Sequence, residues 1–103
     1  GETAQLFFGR NIGAAPGVDE AAFQDFVARE LVPRFPDGLT ILAAEGRWRG
    51  ADGVMVEEAA ELVILAAEGG VDRRALAQAR SAYKVRFSQE AVLQSISRAC
   101  LAF

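Results

Sequence analysis

One short device occurs twice in the chain. Gly17-Val18-Asp19 and Gly70-Val71-Asp72 stand 53 residues apart, and Arg34-Phe35 and Arg86-Phe87 follow them 52 apart. In each copy the Asp can accept hydrogen bonds from the free amides of a helix's first turn, while the Val before it can pack on the helix's first large apolar residue, Phe23 or Leu76. Each device therefore opens a helix, and each helix pattern lies between two strand patterns.

The spacing predicts a strand over Thr3 to Asn11, ending at the Gly and Pro cluster Gly13 to Gly17. Phe23, Phe26, Val27 and Leu31 form one face of a helix from Asp19 to about Phe35. Pro33, Pro36 and Asp37-Gly38 close it. Leu39 to Trp48 and Val54 to Ala67 read as a strand pair, most secure at Glu61 to Ala66. Leu76, Ala79, Tyr83 and Phe87 mark the second helix, and Glu90 to Phe103 reads as the last strand. This βαββαβ order rests on periodicity and does not need the repeat. With right-handed crossovers it gives an α+β, ferredoxin-like domain: a four-stranded antiparallel sheet with two helices on one face. At 11.0 kDa, area scaling leaves about 65% of the surface buried, enough for a single domain over residues 1–103.

The sheet's second face is too apolar to be simply solvated. Glu61, Val63 and Leu65 alternate with Leu62, Ile64 and Ala66, and Phe7 and Gly9 with Leu6 and Phe8. A homodimer through this open face is the expected cover.

Composition excludes several chemistries. No histidine is present, which removes Ser-His-Asp and Cys-His nucleophile systems and imidazole metal sites, and a single cysteine allows neither an internal disulfide nor a Cys-cluster zinc site. No cofactor or metal is expected. Acidic residues outnumber basic ones by 14 to 11 with no run of three or more Lys or Arg, so nucleic acid is not an expected partner. No apolar stretch approaches the length of a transmembrane segment, and no signal peptide is visible.

The densest polar cluster runs from Glu45 to Gly53, where Arg47 and Arg49 flank Trp48. Two guanidiniums and an indole can hold a carboxylate, a phosphate or a planar ring. Equally, Trp48 can cover a core edge while the arginines pair with Glu57 or Glu58 across the hairpin. Alternation places Glu57 and Glu61 on one face and Glu58 on the other, and an acid/base role for any of them needs burial to raise its pKa. Tyr83 lies on the apolar face of its helix, and Cys100, placed in the last strand, reads as a small buried hydrophobe.

Several motifs, in order, carry a resemblance. Phe8-Gly9, Arg34-Phe35-Pro36-Asp37-Gly38-Leu39-Thr40, Gly46 with Trp48, Glu61 leading Leu62 to Leu65, Tyr83/Phe87/Gln89/Glu90/Val92/Leu93 and Cys100 together resemble domain-of-unknown-function family 3574. These are small bacterial proteins made with an export or lipoprotein signal. The resemblance implies an extracytoplasmic protein, periplasmic or lipid-anchored in its precursor, and no assigned activity. It also draws attention to Gln89 and Glu90 before the last strand and to Asp37 and Gly38 before the second, turns that pseudo-symmetry would put at one end of the sheet.

Two functions fit. One is a non-catalytic module that binds a small ligand or a protein partner, with Arg47, Trp48, Arg49, Glu61, Tyr83, Gln89 and Glu90 as candidate binding residues. The other is a cofactor-free enzyme of the dimeric α/β-barrel type, acting on a small aromatic or carbonyl substrate. A cavity lined by Trp48 or Tyr83 with a desolvated Glu separates the second from the first.

Overall fold

A computed structural model describes residues 1–103. In chain order the elements are β1 (Glu2–Gly9), the two-residue strands β2 (Asn11–Ile12) and β3 (Ala15–Pro16), and α1 (Glu20–Phe26), which runs into a π-helical turn (Val27–Leu31). Then follow β4 (Thr40–Arg49), β5 (Met55–Ala67), α2 (Arg73–Phe87) and β6 (Leu93–Arg98). The sheet order is β4-β5-β1-β6 and every neighbouring pair is antiparallel, the ferredoxin-like arrangement expected from the βαββαβ order.

Both helix starts are capped as their sequence demands. Asp19 Oδ1 accepts the Ala22 amide at 2.8 Å, and Asp72 Oδ1 the Ala75 amide at 3.0 Å. Val18 and Phe23 are buried together, as are Val71 and Leu76. Between helices and sheet, Tyr83 sits at the centre of an aromatic cluster, its ring 4.7 Å from Phe8, 4.9 Å from Phe26 and 4.8 Å from Phe87. Such pairs add about 0.5–1.5 kcal/mol each beyond the area they bury.

Four expectations need correction. The first helix leaves α geometry after Phe26, with the Val32 amide reaching back five residues to the Val27 carbonyl. The last strand is only Leu93–Arg98 rather than Glu90 to Phe103, because Arg98 already pairs with Glu2, the first residue of β1. Cys100 lies beyond that pairing and is exposed, not buried. The turns at Asp37-Gly38 and Gln89-Glu90 fall at opposite ends of the sheet, since β4 runs parallel to β1 and β6 runs against it.

The open face carries a row of apolar residues across all four strands, Leu42, Leu62, Phe7 and Leu93 in register. Leu42 and Leu93 are exposed. At one end, β4 and β5 outrun β1: Gly9 pairs with Ala60, and the ladder from Glu45↔Ala59 to Arg49↔Met55 continues as a two-stranded arm. The angle between this arm and the end of β1 holds the cavity described next.

Candidate functional site

Where the arm leaves β1, the sheet edge opens into a cavity of about 720 Å³ lined by Gly9, Asn11, Gly46, Arg47, Trp48 and Glu58, with the turn Ser88–Ala91 and Leu93 opposite. Glu58 forms its floor. Alternation along β5 turns this side chain away from the helices, yet only 8% of the residue is exposed. Its Oε2 accepts the Asn11 amide at 2.8 Å. Oε1 takes no hydrogen bond from the protein. Burial pushes the Glu58 carboxyl's pKa up, and the Asn11 amide only partly opposes that shift.

Two glycines make the arrangement possible. A Cβ on Gly9 would stand 2.3 Å from Glu58 Oε1, so the carboxyl occupies the space that any other residue would fill. On the neighbouring strand Gly46 pairs with Glu58, and a Cβ there would lie 2.9 Å from Trp48 Cζ3. The indole thus folds back over Gly46 toward the cavity, and Trp48 remains 43% exposed. An exposed aromatic face beside a desolvated carboxylate is suited to a ligand that carries a planar ring and a cationic or hydrogen-bond-donating group.

The opposite wall comes from the end of α2. Ser88 closes the helix in the left-handed conformation at φ 53, a position usually given to glycine, and returns its amide to the Lys84 carbonyl. Gln89 then turns inward, its Nε2 donating to the Asn11 carbonyl at 2.6 Å and to the Phe87 carbonyl at 3.0 Å. Glu90 follows on the rim.

The structure therefore brings together four of the residues singled out from sequence, Arg47, Trp48, Gln89 and Glu90, and leaves three elsewhere. Arg49 reaches the Gly53 carbonyl at 3.4 Å in the hairpin turn. Glu61 faces the helices, where Arg10 meets its Oε1 at 3.3 Å. Tyr83 is fully buried behind the cavity, and its hydroxyl donates to the Gly9 carbonyl at 2.6 Å. Arg47 is exposed and pairs with Glu45 and Glu57 at 3.4 and 3.5 Å, the cross-hairpin pairing weighed from sequence. Gly9, Asn11 and Glu58 complete the site. The opposite parity of Glu58 to Glu57 and Glu61 was its legible signal, whereas the contacts of Gly9 and Asn11 depend on how β1 meets the arm.

Comparison with known proteins adds family and fold. A family of proteins of unknown function, DUF3574, matches residues 3–103. The chain belongs to it. No curated protein matches. Among solved structures, a phage SAM lyase in its apo state is similar with a TM-score of 0.66 at 22% identity, covering 94% of this chain and 79% of that one. A phage SAM lyase in complex with S-methyl-5'-thioadenosine gives 0.68 at 22% identity, covering 93% and 79%. At this identity the likeness establishes the shared α+β fold. No helix of the DUF3574 chain is long and apolar enough to cross a membrane.

Proposed function

We propose that the Glu58 cavity is a small-molecule site and that the protein acts there as a cofactor-free enzyme, with Glu58 as its acid/base group. The observation that carries this is Glu58 itself: a carboxyl lining a cavity, desolvated, held by one backbone amide, with Oε1 accepting no hydrogen bond from the protein. A carboxylate that only stabilised the fold would be paired, as Glu61 is with Arg10. Burial raises the proton affinity of Glu58, the direction that an acid/base carboxyl needs.

S-adenosyl compounds are the first substrate class to test, because a protein of the same fold binds S-methyl-5'-thioadenosine. Such a molecule would bring a flat adenine for the Trp48 face and, in its sulfonium form, a cation for Glu58 and Glu90. The test is incubation with S-adenosylmethionine, followed by chromatography of the adenosyl products. Turnover by the wild type that Glu58→Gln abolishes supports the proposal. S-methyl-5'-thioadenosine that raises the thermal midpoint without any turnover leaves the non-catalytic binding module in its place.

Two further proposals concern the setting. The apolar row Leu42, Leu62, Phe7 and Leu93 supports self-association through the open sheet face, which sedimentation at micromolar concentration tests. Family resemblance supports an extracytoplasmic location, tested by fractionating cells that express the natural precursor.

A further inference from the structure

We propose that Gly9 and Tyr83 are positioning residues for Glu58: the Gly9–Asn11 segment is a seat shaped for its carboxyl, and Tyr83 pins that seat from the helix side of the sheet. The inference rests on Glu58 being the acting group of the cavity and concerns how that group is held. Two contacts define the seat. Gly9 leaves the volume that Oε1 fills, a missing Cβ only 2.3 Å away. The Asn11 amide, two residues on, grips Oε2 at 2.8 Å. Between them Arg10 turns to the other side of the sheet, its Nε on the Val18 carbonyl at 2.8 Å and its Nη1 between Glu20 and Glu61.

Both ends of the segment are fixed by the second helix and the turn that follows it. The Tyr83 hydroxyl donates to the Gly9 carbonyl at 2.6 Å, and Gln89 Nε2 donates to the Asn11 carbonyl at 2.6 Å. Tyr83 is in turn immobilised by Phe8, Phe26 and Phe87. A core ring thus transmits the rigidity of the aromatic cluster through one carbonyl to the carboxyl on the far face. Burial and the nearby Glu58 raise the Tyr83 hydroxyl's pKa, so it stays a donor throughout the working pH range. The other charged groups near the Tyr83 hydroxyl are Arg10 and Glu61, and Arg47 and Glu90 line the cavity with Glu58.

The Cβ of Gly9→Ala would meet only the far end of the Glu58 side chain, so the substitution ejects the carboxyl into the open cavity and leaves the backbone in place. The test is carboxyl-detected NMR titration of Glu58 in wild type, Gly9→Ala and Tyr83→Phe without ligand, followed by addition of S-methyl-5'-thioadenosine. In Gly9→Ala the Glu58 midpoint falls back to the ordinary glutamate value of about 4.3, and in Tyr83→Phe it moves part of the way. Affinity for the nucleoside falls in the same order, by about tenfold to a hundredfold in Gly9→Ala.

An unchanged Glu58 midpoint in Gly9→Ala overturns the seat, and one unchanged in Tyr83→Phe removes Tyr83 from it. Should Gly9→Ala fail to fold, adding Glu58→Ala removes the group that the new methyl meets. Rescue of folding supports the seat, and no rescue overturns it. A wild type that ignores the nucleoside while Glu58 shifts in Gly9→Ala defeats the proposed ligand class and leaves the seat standing.

Discussion

Glu58 and Glu61 lie three residues apart on one strand and are buried to almost the same degree, with 8% and 5% of each residue exposed. Desolvation raises the pKa of both. They differ in what answers that desolvation. Glu61, on the helix face, is met by the Arg10 guanidinium. Glu58, on the open face, has one backbone amide and a free oxygen. A buried charge without a counter-charge costs stability, and it persists where something other than stability depends on it. The two faces divide the same way: one is a dense aromatic core, and the other ends in a cavity with an exposed indole.

The contrast breaks first where packing is removed. Phe26→Ala, in the aromatic cluster, is expected to cost about 3–5 kcal/mol. Leu42→Ala, on the open face and 47% exposed in the monomer, should cost the isolated chain no more than about 0.5–1 kcal/mol. Urea titration of both variants checks this, and similar costs would mean that the open face is buried in solution.

Removing the counter-charge comes next. Arg10→Ala leaves Glu61 buried and unpaired, an expected loss of about 3 kcal/mol, readable as a fall of roughly 12–24 °C in thermal midpoint. Glu58→Gln has the opposite sign. Because the folded-state pKa of Glu58 is raised, its favourable contribution is complete below the unfolded value and is lost as pH rises through the folded one. At neutral pH the neutral amide should therefore stabilise the fold, by up to about 1 kcal/mol, while it abolishes the turnover proposed for the cavity. A destabilised Glu58→Gln would assign the residue to structure.

The smallest effect lies at the far end of the sheet. Glu2 accepts two bonds from Arg73, at 2.8 and 3.0 Å, and one from the Val71 amide, which lowers its pKa to about 2. Its contribution is present above the unfolded value of about 4.3 and lost as pH falls toward 2. Glu2→Gln should flatten the stability profile in that window alone, measured by thermal melts between pH 5 and pH 2.

Much of this architecture is legible in the chain because local rules agree with the fold. Asp19 and Asp72 cap, Val18 and Val71 staple, and the alternation along β5 assigns Glu58 and Glu61 to opposite faces. Residues whose role depends on distant partners were not legible. Tyr83 reads as core and is core, but its hydroxyl's partner, Gly9, lies 74 residues away in sequence. The Arg47-Trp48-Arg49 cluster looks like a unit in the chain, yet the extended strand sends Arg49 to the hairpin turn and Trp48 to the cavity. Asn11 acts through its backbone, which no side-chain pattern reports.

The central claim is that the Glu58 cavity takes an adenosyl ligand, and amide chemical-shift mapping with S-methyl-5'-thioadenosine tests it most directly. Saturable shifts centred on Gly9, Asn11, Gly46, Trp48 and Glu58, strongly weakened in Glu58→Gln, are the predicted result. Shifts confined to the apolar row of Phe7, Leu42, Leu62 and Leu93, or binding that Glu58→Gln leaves untouched, would contradict it.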